Sequence, residues 1–469
     1  MKPVMSDFSD TIAAVATGGA ISAIGIIRIS GSMAIPAADK VFRASSGIRL
    51  KDAENRRMYY GAIVAPASAE AAPGALIDLC MCAVSRGPGS YTGEDTVEFH
   101  CHGSPIVLAE ALRALFAQGL RQALPGEFTK RAFLNGRMDL TQAEAVIDLI
   151  EAESPAAARN AALQLQGAIR LKLSPLYGAL LDIMAHFHAY LDYPDEDIGE
   201  FDINAYLPAL REAGAELKAL LSTHGRGAVL RDGLPTAIIG RPNTGKSSLL
   251  NLLLGYPRAI ITDIAGTTRD TVEEKAVFAD IPLRLIDTAG IRDTGDALEM
   301  LGVGRSMEAI GRAGLVILVL DGSEPLRSED RAILALLPPE APKLAAVNKC
   351  DLASALGDDE LAALGFPYCR ISALTGDGLD RLEAAVRELL PEHASMPRGD
   401  VLTNARQAEA ISRALAGVES AIEAIRGGIT PDAVLTDVEA ALLAIGEITG
   451  ATVRDDVVTR IFSRFCVGK

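Results

Sequence analysis

Apolar residues recur along this chain with three different spacings, and each spacing marks a region. Up to about Asn135, short apolar runs such as Ile24 to Ile29, Leu76 to Val84 and Val97 to Cys101 alternate with turn clusters, the pattern of strands joined by loops, which predicts an α+β region. From Asp139 to about Thr223, alanine and leucine recur at helical spacing. A break is expected there at Ser174-Pro175, and the acidic stretch Asp192 to Asp202 reads as a solvated connection. Isolated apolar runs follow at Thr236 to Ile239, Ile281 to Ile286 and Lys343 to Val347, each of strand length. Helical patterning returns from Asn404 to Arg426 and from Pro431 to Ile448, and stops at Thr449-Gly450. Two helical blocks flanking an α/β insertion can pack as one discontinuous domain, because an inserted domain needs only close termini.

Composition narrows this picture. At 469 residues the chain should divide into about three domains. Apolar residues make up 49%, enough for large cores, while aromatics are only 4% with no Trp, which favours helices over a β-sandwich. Met1 to Ser9 is short and polar and no long apolar span follows, so neither a signal peptide nor a membrane helix is expected. Six cysteines without a disulfide framework fit a reducing, cytoplasmic setting. The net charge of −16 excludes broad non-specific nucleic-acid binding. Any RNA must meet a local patch, either Lys130, Arg131 and Arg137 or Arg454, Arg460, Arg464 and Lys469, whose plainer reading is surface solubility.

The chemistry is concentrated in the insertion. Gly240-Arg-Pro-Asn-Thr-Gly-Lys246-Ser247 is a phosphate loop, with an apolar run before it and a helical run, Ser248 to Leu254, after it. Backbone N–H groups from Asn243, Thr244, Gly245 and onward to Ser248 can wrap phosphates, Lys246 can reach the β and γ oxygens, and the Ser247 hydroxyl suits Mg²⁺. Gly266-Thr-Thr-Arg-Asp270 offers Thr268 as a second Mg²⁺ ligand, and Asp287-Thr288-Ala289-Gly290 closes an apolar strand. Asn348-Lys349-Cys-Asp351 ends another. The Asp351 carboxylate can accept from guanine N1–H and the exocyclic amine together, donors that adenine does not pair in that way, and Ser372-Ala373-Leu374 completes a base pocket. Together these predict a GTP-hydrolysing module.

Position 291 is isoleucine, where Ras-like switches carry the glutamine that orients the attacking water. Hydrolysis must then be organised differently. Asn243 and backbone carbonyls of the loop Thr262 to Thr268 would surround one spot with neutral oxygens, which suits a monovalent cation such as K⁺; the alternative is that Asn243 only stabilises the turn. Glu299, flanked by apolar residues, is either a water-positioning carboxylate or an ordinary solvated one. Cys80, Cys82, His100 and His102 raise a zinc question that ordinary strand alternation answers equally well.

Outside the insertion, Asp10-Thr-Ile-Ala-Ala14, Gly25-Ile-Ile-Arg-Ile-Ser-Gly31, Ser90-Tyr-Thr-Gly-Glu-Asp95, His100-Cys-His-Gly103, Pro125-Gly-Glu-Phe-Thr-Lys-Arg-Ala-Phe-Leu-Asn-Gly136, Asp139-Leu-Thr-Gln-Ala-Glu144 and the terminal Phe465-Cys-Val-Gly-Lys469 stand in order. With these blocks the chain resembles the tRNA modification GTPase MnmE (TrmE) family over essentially its whole length. The resemblance implies a multidomain α/β plus α protein. Residues 1–137 form an α+β domain that binds tetrahydrofolate and dimerises, 138–232 and 393–469 form a discontinuous helical domain ending in the Cys-x-Gly-Lys motif, and 233–392 form an inserted Ras-like G domain. It implies GTP, Mg²⁺, K⁺ and 5-formyltetrahydrofolate as cofactors. It also implies tRNA and the flavoprotein MnmG as partners, in a heterotetramer of two of each chain, with transient pairing of G domains. The reaction implied is addition of a carboxymethylaminomethyl or aminomethyl group at C5 of the wobble uridine, U34.

Carried onto this sequence, the resemblance places nucleotide contacts at Asn243 to Ser248, at Thr262, Asp263, Ile264, Ala265, Gly266, Thr267 and Thr268, at Asp287 to Gly290, and at the base-pocket residues above. It puts K⁺ on Asn243, Thr262, Ile264 and Thr267, the catalytic carboxylate on Glu299, and folate on Arg28, Glu98, Arg137 and Lys469. A carboxylate can read the amide and amidine edge of a pterin, and cations suit the folate glutamate tail. Arg137 stands where many relatives carry lysine, so the charge persists with a different fork geometry, and Gly18 to Ile24 departs from the family's pattern. Cys466 is either a nucleophile in the modification chemistry or a packing residue beside the folate. A regulatory or ribosome-assembly GTPase is the alternative reading, but it predicts an RNA-binding add-on that is not evident and leaves the terminal Cys-Val-Gly-Lys without a task.

Overall fold

Buried and part-exposed positions alternate along Leu76–Ser85 and Thr96–Gly103, so each segment turns one face to a core and the other outward. The structure, a computed structural model, describes residues 10–66, 74–192, 202–255, 274–286, 310–394, 399–453, 455–463 and 465–468. Contacts divide the chain into two units, Met1–Ile147 with Leu442–Lys469, and Asp148–Ala441.

In the first unit the described residues form a seven-stranded sheet from β1 (Ile12–Val15), β2 (Ser22–Ser30), β3 (Phe42–Ala44), β4 (Met58–Val64), β5 (Leu76–Ser85), β6 (Thr96–Gly103) and β7 (Arg121–Gln122). Their order is β3-β4-β5-β6-β2-β1-β7, antiparallel except for the β1–β7 pair. One face packs Ile27, Ile29, Cys82, Val84, Val97 and Phe99 against the helices Ala34–Val41 and Pro105–Phe116. On the other side Ile12 and Ala14 pack against Phe128 of the helix Glu127–Leu134. Register decides the zinc question: Met81 stands opposite His100 and Cys82 opposite Phe99, so Cys80, Cys82 and Cys101 are buried with the core while His100 lies on the outer face. No metal-binding group of three or more His, Cys, Asp or Glu occurs among the described residues. His102 instead pairs its Nδ1 with Asp78 Oδ1 at 2.7 Å.

In the second unit β8 (Leu234–Ile239), β9 (Glu274–Phe278), β10 (Ile281–Ile286), β11 (Leu315–Asp321), β12 (Lys343–Asn348) and β13 (Tyr368–Arg370) form a sheet of order β13-β12-β11-β8-β10-β9, parallel except that β9 runs against β10. Every residue of β11 is buried, as expected for a central parallel strand covered on both faces. Successive strands leave β8 first to one side and then to the other, so β8 ends at a topological switch point, where open α/β sheets bind ligands. Beside this sheet in sequence, the helices Leu207–Ser222 and Ala405–Arg426 pack together, and Leu210, Ala213, Leu217, Ile411, Ala414 and Val418 are buried. Asn404 caps the second, its Oδ1 accepting from the Arg406 N–H at 2.9 Å.

The break expected at Ser174-Pro175 does not occur: the helix Ala168–Asp192 runs through Pro175. Proline removes one intrahelical donor, the one that would meet the Leu171 carbonyl, and the remaining turns of this 25-residue helix outweigh that single loss. No helix among the described residues is long and apolar enough to cross a membrane.

Candidate functional site

The phosphate loop leaves β8 through backbone conformations that side chains resist. Asn243 has φ +63° and Gly245 φ +96°. At Gly245 a Cβ would stand 2.1 Å from Asn348 Nδ2, so only glycine fits. The helix Lys246–Leu254 starts directly after it, turning its first N–H groups and the positive end of its dipole to the loop. Lys246 Nζ donates to the Arg241 carbonyl at 2.9 Å and the Thr244 hydroxyl to the same carbonyl at 3.0 Å, which folds the loop into a closed turn.

Asn348 joins this turn to the loop after β13. Its Nδ2 donates to the Thr244 carbonyl at 2.8 Å and its Oδ1 accepts from the Ala373 N–H at 2.8 Å, with Asn348 and Ser372 both buried. The Ser372 N–H donates to the Asp377 carbonyl at 2.9 Å, and the Ser372 Oγ accepts from the Thr375 N–H at 3.2 Å, closing a tight turn that leaves Leu374 exposed. Asp351 is exposed one turn beyond Asn348. Among the predicted residues the structure therefore brings Asn243 to Ser248, Asn348, Lys349, Asp351 and Ser372 to Leu374 to the carboxyl edge of one sheet. Thr262, Asp263, Ile264, Ala265, Gly266, Thr267, Thr268, Asp287, Thr288, Ala289, Gly290 and Glu299 lie outside the described residues.

Sequence reasoning missed the charges beneath this edge. Asp321 ends β11 directly opposite Asn348 in register. Its Oδ2 accepts from Lys349 Nζ at 2.6 Å and lies 3.8 Å from the Arg241 guanidinium. Arg241 also donates from Nε to Asp330 at 3.2 Å and reaches Glu324. Burial pushes the Asp321 carboxyl up, but the Lys349 ammonium and the Ser323 hydroxyl and N–H outweigh it and hold it below the ordinary carboxylate range. The available signal was a lone carboxylate closing the apolar run Leu315 to Leu320.

In the first unit β2 and β6 set Arg28 directly opposite Glu98. Arg28 Nε donates to Glu98 Oε1 at 2.7 Å, both side chains being partly exposed. The guanidinium also lies 5.2 Å from the ring centre of Tyr91 and 5.8 Å from that of Phe128. Both rings stand inside family sequence blocks, Tyr91 in Ser90 to Asp95 and Phe128 in Pro125 to Gly136. Arg137, exposed, follows the helix Glu127–Leu134, with its Cγ 3.3 Å from where a Cβ of Gly93 would stand. The loop from Ser90 to Asp95 thus touches both arginines.

The chain's last described residues pass beside this place. The Gly126 N–H donates to the Cys466 carbonyl at 3.2 Å, and Pro125 and Val467 form an isolated bridge. Gly468, at φ +98°, would place a Cβ 2.2 Å from the Val15 carbonyl, one residue beyond Ala14, the partner of Arg28. Phe465 is buried on Phe462 at 5.3 Å, while Cys466 is exposed. Lys469, Arg454 and Arg464 lie outside the described residues.

Arg131, expected on a basic surface, is fully buried. It donates to Asp10 Oδ1 at 2.8 Å, Glu127 Oε1 at 2.9 Å and Glu94 Oε1 at 3.2 Å, and Arg121 joins Asp10 and Glu127 from the other side. Burial raises the Asp10 and Glu127 carboxyls, and the two guanidiniums more than offset it, leaving both below their ordinary values. Lys130 Nζ donates to the Thr459 hydroxyl at 3.1 Å.

A family model described as the GTP-binding protein TrmE N-terminus matches residues 11–137, and one described as the MnmE helical domain matches 140–466. The chain is similar to the tRNA modification GTPase MnmE of Geobacillus kaustophilus (strain HTA426), with 42% identity covering 99% of this chain and 100% of the relative. It is 41% identical to the protein of that name from Natranaerobius thermophilus, covering 98% and 99%. Among solved structures, the G domain of the T. maritima FeoB iron transporter aligns with 28% identity and a TM-score of 0.25, covering 33% of this chain and 96% of that one.

Proposed function

Because the chain belongs to the MnmE family of tRNA modification GTPases, we propose that it hydrolyses GTP in the α/β module and, with the flavoprotein MnmG, adds a carboxymethylaminomethyl or aminomethyl group at C5 of the wobble uridine, U34, of certain tRNAs. The observation that carries the nucleotide part is the Asn348 side chain, which holds the phosphate loop and the Ser372–Leu374 turn together through Thr244 and Ala373. The cradle suits a phosphate chain: left-handed backbone at Asn243 and Gly245 aims successive N–H groups into one concavity at a helix start.

In this reading Lys246 and the N–H groups of Asn243 to Ser248 hold the phosphates, with the switch residues Thr262 to Thr268 and Asp287 to Gly290 around them. Ser247 and Thr268 hold Mg²⁺. Asp351 reads the guanine edge, Lys349 lines the base, and Ser372 to Leu374 close the pocket. Asn243, Thr262, Ile264 and Thr267 hold K⁺, and Glu299 positions the attacking water in place of the absent glutamine at Ile291. When bound, GTP with Mg²⁺ supplies an activated phosphoanhydride and the charge that neutralises it. Fixed donors act before any charge develops, so the loop needs no reorganisation during hydrolysis.

The first unit supplies the one-carbon chemistry in this reading. Arg28, Glu98, Arg137 and Lys469 bind 5-formyltetrahydrofolate. Arg28, paired with Glu98 and lying near the Tyr91 and Phe128 rings, offers a flat cationic and acidic surface suited to a pterin edge. Cys466 stands on the tail that passes this place. The chain forms a homodimer through this unit, a heterotetramer with MnmG, and transient G-domain pairs, in the cytoplasm.

Nucleoside mass spectrometry of tRNA from a deletion strain complemented with the full chain, or with a chain lacking Lys469, tests the reading. The full chain is expected to restore the C5 modification and the truncated one to fail. Unmodified U34 in the presence of the full chain would overturn it. The K⁺ assignment rests on its own measurement: GTP turnover should rise steeply when K⁺ replaces Na⁺, and Asn243→Ala should lose that response.

A further inference from the structure

Between positions 40 and 57 the chain carries six cationic side chains against two carboxylates, although its net charge is −16. The fold of the first unit places five of them on neighbouring segments, with Arg86 close by. Arg43 lies on the edge strand β3, Arg49 and Lys51 on the turn about Leu50–Asp52, and Arg56 and Arg57 on the approach to β4. Arg86, at the end of β5, ties these pieces together: its Nη2 donates to the Lys51 carbonyl at 2.7 Å and its backbone N–H to Asn55 Oδ1 at 2.9 Å.

How these charges are held matters more than their number. Arg43 donates to the carbonyls of Asp39 and Phe42 at 3.0 Å, Arg56 donates to the carbonyl of Gly89, and Arg86 to that of Lys51. A carbonyl fixes a guanidinium without neutralising it. Arg49 pairs with Asp39 and Arg57 with Glu54, yet both guanidiniums remain exposed, as does Lys51. The Arg57 guanidinium also lies 5.8 Å from the ring centre of Tyr59, which holds it beside the start of β4.

We propose that this surface, with Arg43, Lys51, Arg56, Arg57 and Arg86, docks the phosphate backbone of the tRNA. The proposal rests on the tRNA-modifying reading above. Pinned cations spread over two loops and a sheet edge match a repeating, extended anion better than a single phosphate group. A local positive field is also what an acidic chain needs in order to hold RNA at all.

The test is tRNA binding by the full-length protein, read by fluorescence anisotropy over a range of salt concentrations. Lys51→Ala with Arg57→Ala removes two exposed cations that make no backbone hydrogen bonds among those described. The double variant is expected to bind unmodified tRNA at least ~10-fold more weakly, and its salt dependence should flatten by nearly two phosphate contacts. Its GTP turnover without tRNA should match wild type. Arg113→Ala with Arg211→Ala, removing equal charge elsewhere, should leave binding unchanged. Affinity and salt slope equal to wild type in the first variant would overturn the proposal, as would an equal loss in the second. Loss of MnmG capture with tRNA binding intact would assign the surface to an acidic protein instead and would also overturn it. Failure of the wild-type chain to restore modified U34 would sink the tRNA reading itself, whereas restored modification with an indifferent double variant removes only the docking surface.

Discussion

The side-chain amide of Asn348 lies 2.8 Å from the main-chain carbonyl of Thr244, so a residue at the end of β12 holds the phosphate loop that follows β8. The same side chain accepts from the Ala373 N–H at 2.8 Å. Asn348→Ala removes both bonds and strands a buried carbonyl and a buried N–H, at a cost of about 2–4 kcal/mol shared between stability and nucleotide affinity. Titration with a fluorescent GTP analogue should show affinity reduced by ~10-fold or more. A reduction under twofold would show that the link is incidental.

Gly245 meets the same amide from the other side. A Cβ there would stand 2.1 Å from Asn348 Nδ2 and would impose φ +96° on a residue that resists it. Gly245→Ala is therefore expected to abolish measurable GTP binding while circular dichroism stays native, since the displaced atoms sit at the sheet's edge. Retained affinity would mean that the loop relaxes freely.

Asp321 carries a pH signature. Its folded pKa is depressed, because the Lys349 ion pair and the Ser323 hydrogen bonds outweigh burial. A depressed carboxylate contributes stability that is present above its ordinary value of 3.8 and is lost as the pH falls through the folded value. Lys349 is about one-third exposed, so solvent screening keeps the contribution to about 1–2 kcal/mol. Asp321→Asn should thus lie below wild type in urea unfolding by that amount at pH 7, with the gap closing below pH 4. A gap that is constant with pH would assign the effect to packing.

What the sequence disclosed and what it hid divide along the range of the interactions. The strand Ile281–Ile286, the capped helix after Asn404 and the strand–turn–helix around Lys246 are set by local pattern and backbone chemistry, so they could be read directly. The α/β plus helical class followed from the same patterns. Arg131 could not be read this way. Its letters match those of a surface cation, and only the fold brings Asp10 and Glu94 to it. Asp321 was hidden for the same reason, because its partners Lys349 and Arg241 arrive from two other loops. Pro175 misled in the opposite sense: a local breaker was outweighed by the rest of a long helix.

Arg28 and Glu98 give a prediction in the first unit. Their 2.7 Å bond lies on an outer sheet face beside two rings. Glu98→Gln keeps the shape, removes the charge that orients Arg28, and should weaken 5-formyltetrahydrofolate binding by ~10-fold in isothermal calorimetry, with GTP affinity unchanged. Equal weakening of both ligands would point to a folding defect rather than a contact.

Arg131 is the most consequential buried charge in that unit. Fully buried, it faces Asp10, Glu94 and Glu127. Each carboxylate sits on a different segment: the chain before β1, the loop carrying Tyr91, and the helix carrying Phe128. Arg131→Met leaves carboxylates desolvated without their shared partner, and about 3–5 kcal/mol of stability should go with it. Asp10 and Glu127 have depressed folded pKa values, so the stability they contribute is present above their ordinary values and disappears on acidification. The deficit of the variant should therefore be largest near neutrality and narrow as pH falls below about 4, where protonated carboxyls no longer need the guanidinium. Arg131→Lys keeps one charge but cannot bridge three acceptors, and should fall between wild type and Met. Thermal melts of the three proteins at pH 7 and pH 4 decide the matter, and a Met variant that is as stable as wild type at pH 7 would show that packing alone holds these segments together.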